Sequence, residues 1–300
     1  MMRLCVVIPA TDGPADLVRV VDAIRAADEP PEDVIVVDEP HIRGPAAARN
    51  AGAERASGDV LVFVDSDVLP REDAFRRIRR AFAEDPSLTA IFGSYDDAPE
   101  ARGVVSQFRN LLHHYVHQQS PGPASTFWAG LGAIRRDAFF EAGGFDAHRY
   151  RTASIEDIEL GVRLAASGAR LELDPDLQGT HLKRWTLASM VLTDLVGRGI
   201  PWIALLAREG ATPTGLNLGW RHRVSAAASI AAVASLATHR PRQAAVASCA
   251  LVALNAGFYR LLLKRRGPAE AAAGVMLHTL HHLTGAAAVP LGLLEHARDR

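Results

Sequence analysis

Three short runs of this 300-residue chain are apolar at every position: Leu4–Ala10 (LCVVIPA), the VIVV run inside Glu32–Pro40, and Val60–Val64 (VLVFV). A strand with one wet face alternates apolar and polar side chains, so strands without alternation are covered on both faces. Helical patterns separate them. Ala15–Ala27 sets Leu17, Val20, Val21 and Ile24 on one face. Gly44–Gly58 reads as a helix opened by Gly-Pro and closed by glycine, Arg71–Asp85 as a strongly amphipathic helix, and Leu88–Asp96 as a further strand. The alternation predicts an α/β fold, a doubly wound and mainly parallel sheet with helices on both sides. Sheets of that kind bind ligands beyond the carboxyl ends of their strands.

Carboxylates stand at those ends. Asp38 closes the second strand, and Asp65-Ser66-Asp67 closes the third. An unpaired buried carboxylate is costly, so such groups face solvent, a cation or a ligand. A solvated turn before the next helix, capped by Asp67 or a neighbour, is the plainer reading. Placement of carboxylates from two strands at one rim favours a crevice instead. No G-x-G-x-x-G follows the first strand, where ATDGPADL supplies one glycine, and the chain holds no G-x-x-x-x-G-K-[ST], so neither NAD nor a P-loop nucleotide is indicated. Two carboxylates one residue apart on a turn suit a hard divalent cation that keeps waters and bridges phosphate oxygens.

A formal net charge of −1 gives no general case for nucleic-acid binding. Cys5, in a strand pattern, and Cys249, in an apolar run, read as reduced thiols. RLCVVIPA is too short for a secretory signal and reads as the first strand. The trio His113, His114 and His117 has no cysteine or carboxylate close by and reads as one face of an ordinary helix, not a zinc site.

Taken in order, the strand ending VIP, the strand ending VVD, GPAAARNAG, GDVLVFVDSD, WAGLGAIRRDAFFEAGGFD and IEDIELGVRLAASG resemble a family-2 glycosyltransferase with a GT-A fold, from about Leu4 to Trp185. The resemblance implies a nucleotide-diphosphate sugar donor, UDP- or GDP-linked. Pro9 and Ala10 would border the nucleotide, Asp38 would hydrogen-bond the base, and Arg49 would approach the nucleotide or its phosphates. VVDEP departs here from the family's usual VVDDGS. Asp65, Ser66 and Asp67 form the D-x-D element, with Asp65 and Asp67 holding Mg²⁺ or Mn²⁺ and Asp67 the direct ligand. Asp157, with Glu156 beside it, would be the catalytic base that takes the acceptor's proton as one displacement inverts the anomeric carbon. The same SIEDIELGVRL stretch also reads as an ordinary amphipathic helix with acids at its positive end. Gly130, in a run of small residues, would line the donor site. HLKRW resembles the Q-x-x-R-W signature of membrane-embedded sugar polymerases, with histidine in place of glutamine. Arg184 would bind the diphosphate, Trp185 would stack on the acceptor sugar, and His181 would complete the metal shell.

Nearly all acidic residues precede Asp194; only Glu209, Glu270, Glu295 and Asp299 follow it, among long Ala/Leu/Val runs. This predicts three regions: a catalytic domain over 1–187, an amphipathic interfacial segment over 188–220, and membrane-associated helices over 221–300 with two or three spans. Basic clusters Arg221–Arg223 and Lys264–Arg266 flank those runs and place the catalytic domain on the cytoplasmic side of the cell membrane, while HRPR (239–242) falls outside. The anchor points to a lipid-linked or cell-envelope glycan acceptor. A polyprenyl-phosphate sugar synthase and a non-catalytic nucleotide-sugar-binding subunit are the alternatives.

Overall fold

The computed structural model describes residues 2–210 and 219–298. The chain divides into two compact units. The first comprises 1–100 and 117–183, the second 101–116 and 184–300. Residues 101–116 thus group with the carboxyl-terminal helices, although they lie inside the stretch that the sequence assigns to the catalytic domain.

The first unit is built on an eight-stranded sheet: β1 (Leu4–Pro9), β2 (Asp33–Val37), β3 (Val60–Val64), β4 (Val68–Pro70), β5 (Leu88–Tyr95), β6 (Gly122–Ala124), β7 (Leu131–Arg135) and β8 (Arg170–His181). Their order is β2-β1-β3-β7-β5-β8-β4, with β6 paired to β8. Helices α1 (Leu17–Ala26), α2 (Pro45–Arg55) and α3 (Ala74–Glu84) join the early strands, and α5 (Arg136–Glu141) and α6 (Glu156–Ala166) follow β7. Helix α4 (Val104–Gln118) lies between β5 and β6, most of it in the second unit.

The absence of alternation in β1 and β3 has the expected cause. Leu4, Val6 and Ile8 with Val60, Val62 and Val64 pack on α1 and α3 through Val20, Ile24, Phe75, Ile78 and Phe82. Cys5, Val7, Leu61 and Phe63 point the other way, onto Ala46 and Ala53 of α2, Leu160 and Leu164 of α6, and Phe127, Phe139 and Phe145. Gly52 permits the close approach of α2, because a Cβ there would lie 2.3 Å from Val7 Cγ1.

The sheet is mixed, not mainly parallel. β1 pairs parallel with β2 and β3, and β5 with β8. β7 enters antiparallel between β3 and β5, and β4 and β6 run antiparallel to β8. The parallel expectation holds for β2-β1-β3 and for the pair β5–β8.

The second unit is helical: α7 (Leu187–Leu192), a π-helical segment (Thr193–Gly199), α8 (Ile200–Glu209), α9 (Trp220–Ala237), α10 (Pro241–Leu254), α11 (Ala256–Arg266) and α12 (Pro268–Arg298), together with most of α4. Its core joins Phe108, Leu111 and Leu112 of α4 to Trp185, Met190, Phe258, Tyr259 and Leu262. Among the described residues one helix, Leu187–Glu209, is long and apolar enough to cross a membrane. The pair α10–α11 meets the same criterion across a 78° bend. The length criterion therefore falls partly on the segment that the sequence reads as interfacial.

Candidate active site

β3 delivers Asp65, Ser66 and Asp67 to the rim of the sheet, where Val68 N–H closes the turn on the Asp65 carbonyl at 3.0 Å. β4 then pairs with the end of β8, which sets Val68 opposite His181. That register brings the imidazole to the D-x-D turn. Leu182 N–H donates to the Asp67 carbonyl at 2.9 Å, and His181 Nε2 lies 3.6 Å from Asp67 Oδ2. His181 is buried and stacks on Tyr95, with ring centroids 4.1 Å apart and planes 10° from parallel. Tyr95 in turn meets the Trp128 indole edge-on at 4.9 Å. Burial acts to raise the Asp67 carboxyl, but His181 and Lys183 outweigh it and hold the group below its usual range. Asp65 goes the other way: burial, with Asp67 and Glu156 nearby, raises it despite Arg49.

Arg49 departs from the expectation of a phosphate contact. It is 4% exposed. Its Nη2 donates to Asp65 Oδ1 at 2.6 Å and its Nη1 to Glu156 Oε1 at 2.8 Å. Burial works against the guanidinium's charge, and three carboxylates, Asp65, Glu156 and Asp157, more than restore it. Glu156 likewise departs from a catalytic role: it is buried, with Oε2 accepting from Ser154 N–H at 2.9 Å. Both are internal braces.

Asp157 opens α6 and is partly exposed. Its Oδ2 accepts from Ala129 N–H at 3.1 Å and its Oδ1 from Ile158 N–H at 2.8 Å. The next residue, Gly130, accepts from Asp65 N–H through its carbonyl at 3.1 Å. Two routes therefore tie the D-x-D turn to the start of α6, one through Arg49 and Glu156, the other through Ala129 and Gly130. The small residues here have an internal cause. A Cβ on Gly130 would lie 2.3 Å from the Trp128 ring, and one on Gly132 would lie 2.4 Å from the Trp128 carbonyl. Gly130 is buried against that indole, which gives its small size an internal reason beside the donor-site lining expected from the sequence.

At the other edge of the sheet, Ala10 N–H donates to the Val37 carbonyl at 2.8 Å, so Pro9 and Ala10 lie beside exposed Asp38. Ser66 is half-buried in its turn. Arg184 and Trp185 belong to the second unit. Arg184 is exposed, but Trp185 is 8% exposed in that unit's core, with the Arg109 guanidinium 5.5 Å over its ring. Trp185 is a core residue, which corrects its reading as a stacking face for sugar.

Tyr95 and Trp128 escaped the sequence reading. Tyr95 ends β5, so the strand-end rule that singled out Asp38 and Asp65 would have reached it, but it attracts notice only for charged groups.

Among the described residues no group of three or more His, Cys, Asp or Glu side chains could hold a metal ion by itself. The donors at the turn are the part-exposed Asp67 carboxylate, its neighbour His181, and Asp65, which Arg49 already engages. Magnesium-type ions commonly bind through one or two carboxylates, completing their shell with water and substrate phosphate. The residues present fit a cation that arrives with a diphosphate and do not fit a closed protein cage.

The chain is 30% identical over 165 residues to a pre-mycofactocin glycosyltransferase of Mycobacterium tuberculosis, covering 53% of this chain and 34% of the relative. It is 26% identical over 152 residues to a poly-beta-1,6-N-acetyl-D-glucosamine synthase of Staphylococcus aureus, covering 48% and 35%. The chain thus spans about a third of the length of the curated relatives it matches. Its fold is similar to that of the mannosyltransferase PcManGT from Pyrobaculum calidifontis, solved with GDP-Man and Mn²⁺, with a TM-score of 0.55 and 16% identity over all of this chain and 88% of the other. Residues 7–142, just under half of the chain, match the family model described as Glycosyl transferase family 2.

Proposed function

We propose that the protein is a metal-dependent, inverting glycosyltransferase. It moves a sugar from a nucleotide-diphosphate donor to a lipid-linked or cell-envelope glycan acceptor, held at the cell membrane with its catalytic unit on the cytoplasmic side. The reading is carried by one observation: the Asp65–Asp67 turn and Asp157, from different elements, are fixed to each other through Ala129 and Gly130. Transfer needs two acidic functions at a set separation, one at the leaving diphosphate and one at the attacking hydroxyl. The similar archaeal mannosyltransferase, solved with GDP-Man and Mn²⁺, supports the donor class and the metal.

In this reading Asp67 would hold Mg²⁺ or Mn²⁺, with His181 beside it and Asp65 in support. When bound, the ion neutralises charge that develops on the departing diphosphate. Asp157 accepts the acceptor's proton, and the Ala129 and Ile158 N–H groups orient its carboxylate. Arg49 and Glu156 act behind it by holding α6 against β3. Asp38, with Pro9 and Ala10, borders the base.

The test is sugar transfer by the full chain from UDP- and GDP-sugars with Mn²⁺. Asp67→Ala and Asp157→Asn each abolish transfer while the thermal transition stays near that of the parent. Near-normal transfer by Asp157→Asn would remove the base and favour a lipid phosphate as acceptor, since a phosphate needs no strong base.

A further inference from the structure

In the second unit α9, α10 and α12 turn much of their apolar surface outward, beside the aromatic core around Phe258. Along α9 the buried positions are Ser225, Ser229 and Ala232, while Val224, Ile230, Val233 and Leu236 are 44–63% exposed. On α10, Ala244 and Leu251 are buried, while Val246 is 71% and Val252 40% exposed. On α12 the buried set is Gly274, His278, His282, Thr284, Ala288 and Gly292; Met276, Val289, Leu291, Leu293 and Leu294 are exposed. A helix pair in water buries its branched apolar side chains and exposes serine and histidine. Here the contacts between helices use small and polar groups. Asn255 Nδ2 donates to Ser225 Oγ at 2.9 Å, and the Arg221 guanidinium donates to the Leu254 carbonyl. Hydrocarbon reverses the rule, because apolar faces gain nothing by meeting each other while small residues and interhelical hydrogen bonds still hold helices together.

The exposed apolar residues are not one stripe. At 100° per residue, Val224, Ile230, Val233 and Leu236 fall near 0°, 240°, 180° and 120° around α9. A second protein surface covers one side of a helix; a fluid apolar solvent covers all of it. Charge marks the limits. Val224–Thr238 and Gln243–Tyr259 hold no charged residue, whereas Arg221 and Arg223 stand at one end of the α9–α10 hairpin and Arg240 and Arg242 at its turn. Trp220, 67% exposed, sits beside the first pair, where an interfacial indole is favoured. The charge-free part of α9 is about 22 Å long, which arginines reaching outward from both ends extend towards a bilayer's apolar thickness of about 30 Å.

From this we infer that the charge-free faces of α9, α10 and α12 are in direct contact with the hydrocarbon of a lipid bilayer. The inference rests on the membrane part of the proposed function and on none of its chemistry. It also extends lipid contact to α9 and α12, beyond the single helix long and apolar enough to cross on its own.

The chain carries its own reporter. Cys249 is exposed in the middle of the α10 band, and the other cysteine, Cys5, is buried. A nitroxide attached to Cys249 of the full chain, reconstituted in phosphatidylcholine–phosphatidylglycerol vesicles, reads its surroundings through collisions with oxygen and with a water-soluble nickel chelate. A Val18→Cys, Cys249→Ser variant supplies the reference on exposed α1. The expected oxygen-to-nickel accessibility ratio is several-fold higher at Cys249 than at residue 18. A nickel-accessible Cys249 would mean that water covers the hairpin, and low accessibility to both reagents would mean a protein partner or second copy. Either result overturns the inference. Sugar transfer measured on the same vesicles reports separately on the chemistry.

Discussion

Arg49 and Glu156, 107 residues apart in sequence, form a buried ion pair at 2.8 Å, and the same guanidinium grips Asp65 at 2.6 Å. One cation thereby joins the strand that carries the D-x-D turn to the helix that carries Asp157. Removing one partner of a buried pair leaves an uncompensated charge and costs about 3–5 kcal/mol. Arg49→Met is expected to lose stability on that scale in chemical denaturation, because two carboxylates are then stranded. Glu156→Gln is expected to remain folded and to lower kcat more than the donor KM. A Glu156→Gln enzyme with unchanged kcat would mean that the brace does not orient Asp157.

His181 and Tyr95 give a second prediction. Because the imidazole is held by its stack on Tyr95, Tyr95→Ala should act on the metal through His181. The Mn²⁺ concentration needed for half-maximal nucleotide binding is expected to rise in both His181→Ala and Tyr95→Ala, and least in Tyr95→Phe, which keeps the stacked ring. An effect of Tyr95→Ala on stability alone would limit Tyr95 to a packing role.

Gly161 faces backbone. A Cβ there would lie 2.1 Å from the Phe127 nitrogen, so relief requires α6 to move. Overpacking of this kind costs about 1–3 kcal/mol. Gly161→Ala should lower the melting temperature and also reduce transfer, since the displaced helix carries Asp157. Gly168→Ala, in open space but at a φ of +84°, should affect melting alone.

Glu32 fixes a pH dependence. Burial acts to raise its carboxyl, but Arg79 at 2.7 Å and the Leu4 N–H at 2.7 Å win, and the group sits below its ordinary value of 4.5. A depressed carboxyl stabilises the fold above the unfolded-state value and loses that contribution as the pH falls through the folded one. Thermal melts from pH 6 to pH 3 should show a steeper fall for the parent than for Glu32→Gln, whose curve flattens in the acid range. Equal slopes would exclude the Arg79 pairing as a source of stability.

Thiol chemistry separates the cysteines. Burial, with Asp33 adding to it, pushes the Cys5 thiol up to about 12. At pH 8 a water-soluble maleimide should leave Cys5 unmodified in the folded protein and reach it, by mass spectrometry, only on unfolding.

Much of the first unit was legible because periodicity is local. β1, β3, α1 and α3 announce themselves within ten residues, and the acidic strand ends follow from the fold class. β7 was not legible as a central strand, since its antiparallel place between β3 and β5 is set by partners far along the chain. The role of Arg49 was hidden for the same reason: ARNAG shows a cation on a helix, and nothing local says that two carboxylates will enclose it. The glycines near Trp128 were read as room for a ligand alone, whereas an indole and a phenyl ring also crowd them. Trp185 was misread because its burial depends on Phe258, Tyr259 and Leu262, which come from a helix far along the chain.

The placement of α4 has a consequence for biosynthesis. Phe108, Leu111 and Leu112 are translated early, yet the residues that cover them include Phe258, Tyr259 and Leu262 near the other end of the chain. A nascent polypeptide must keep that sticky surface shielded while the whole nucleotide-sugar fold emerges from the ribosome. A fragment cut after residue 187, the obvious choice for a soluble enzyme, would retain α4 without its cover and should aggregate unless those three positions are made polar.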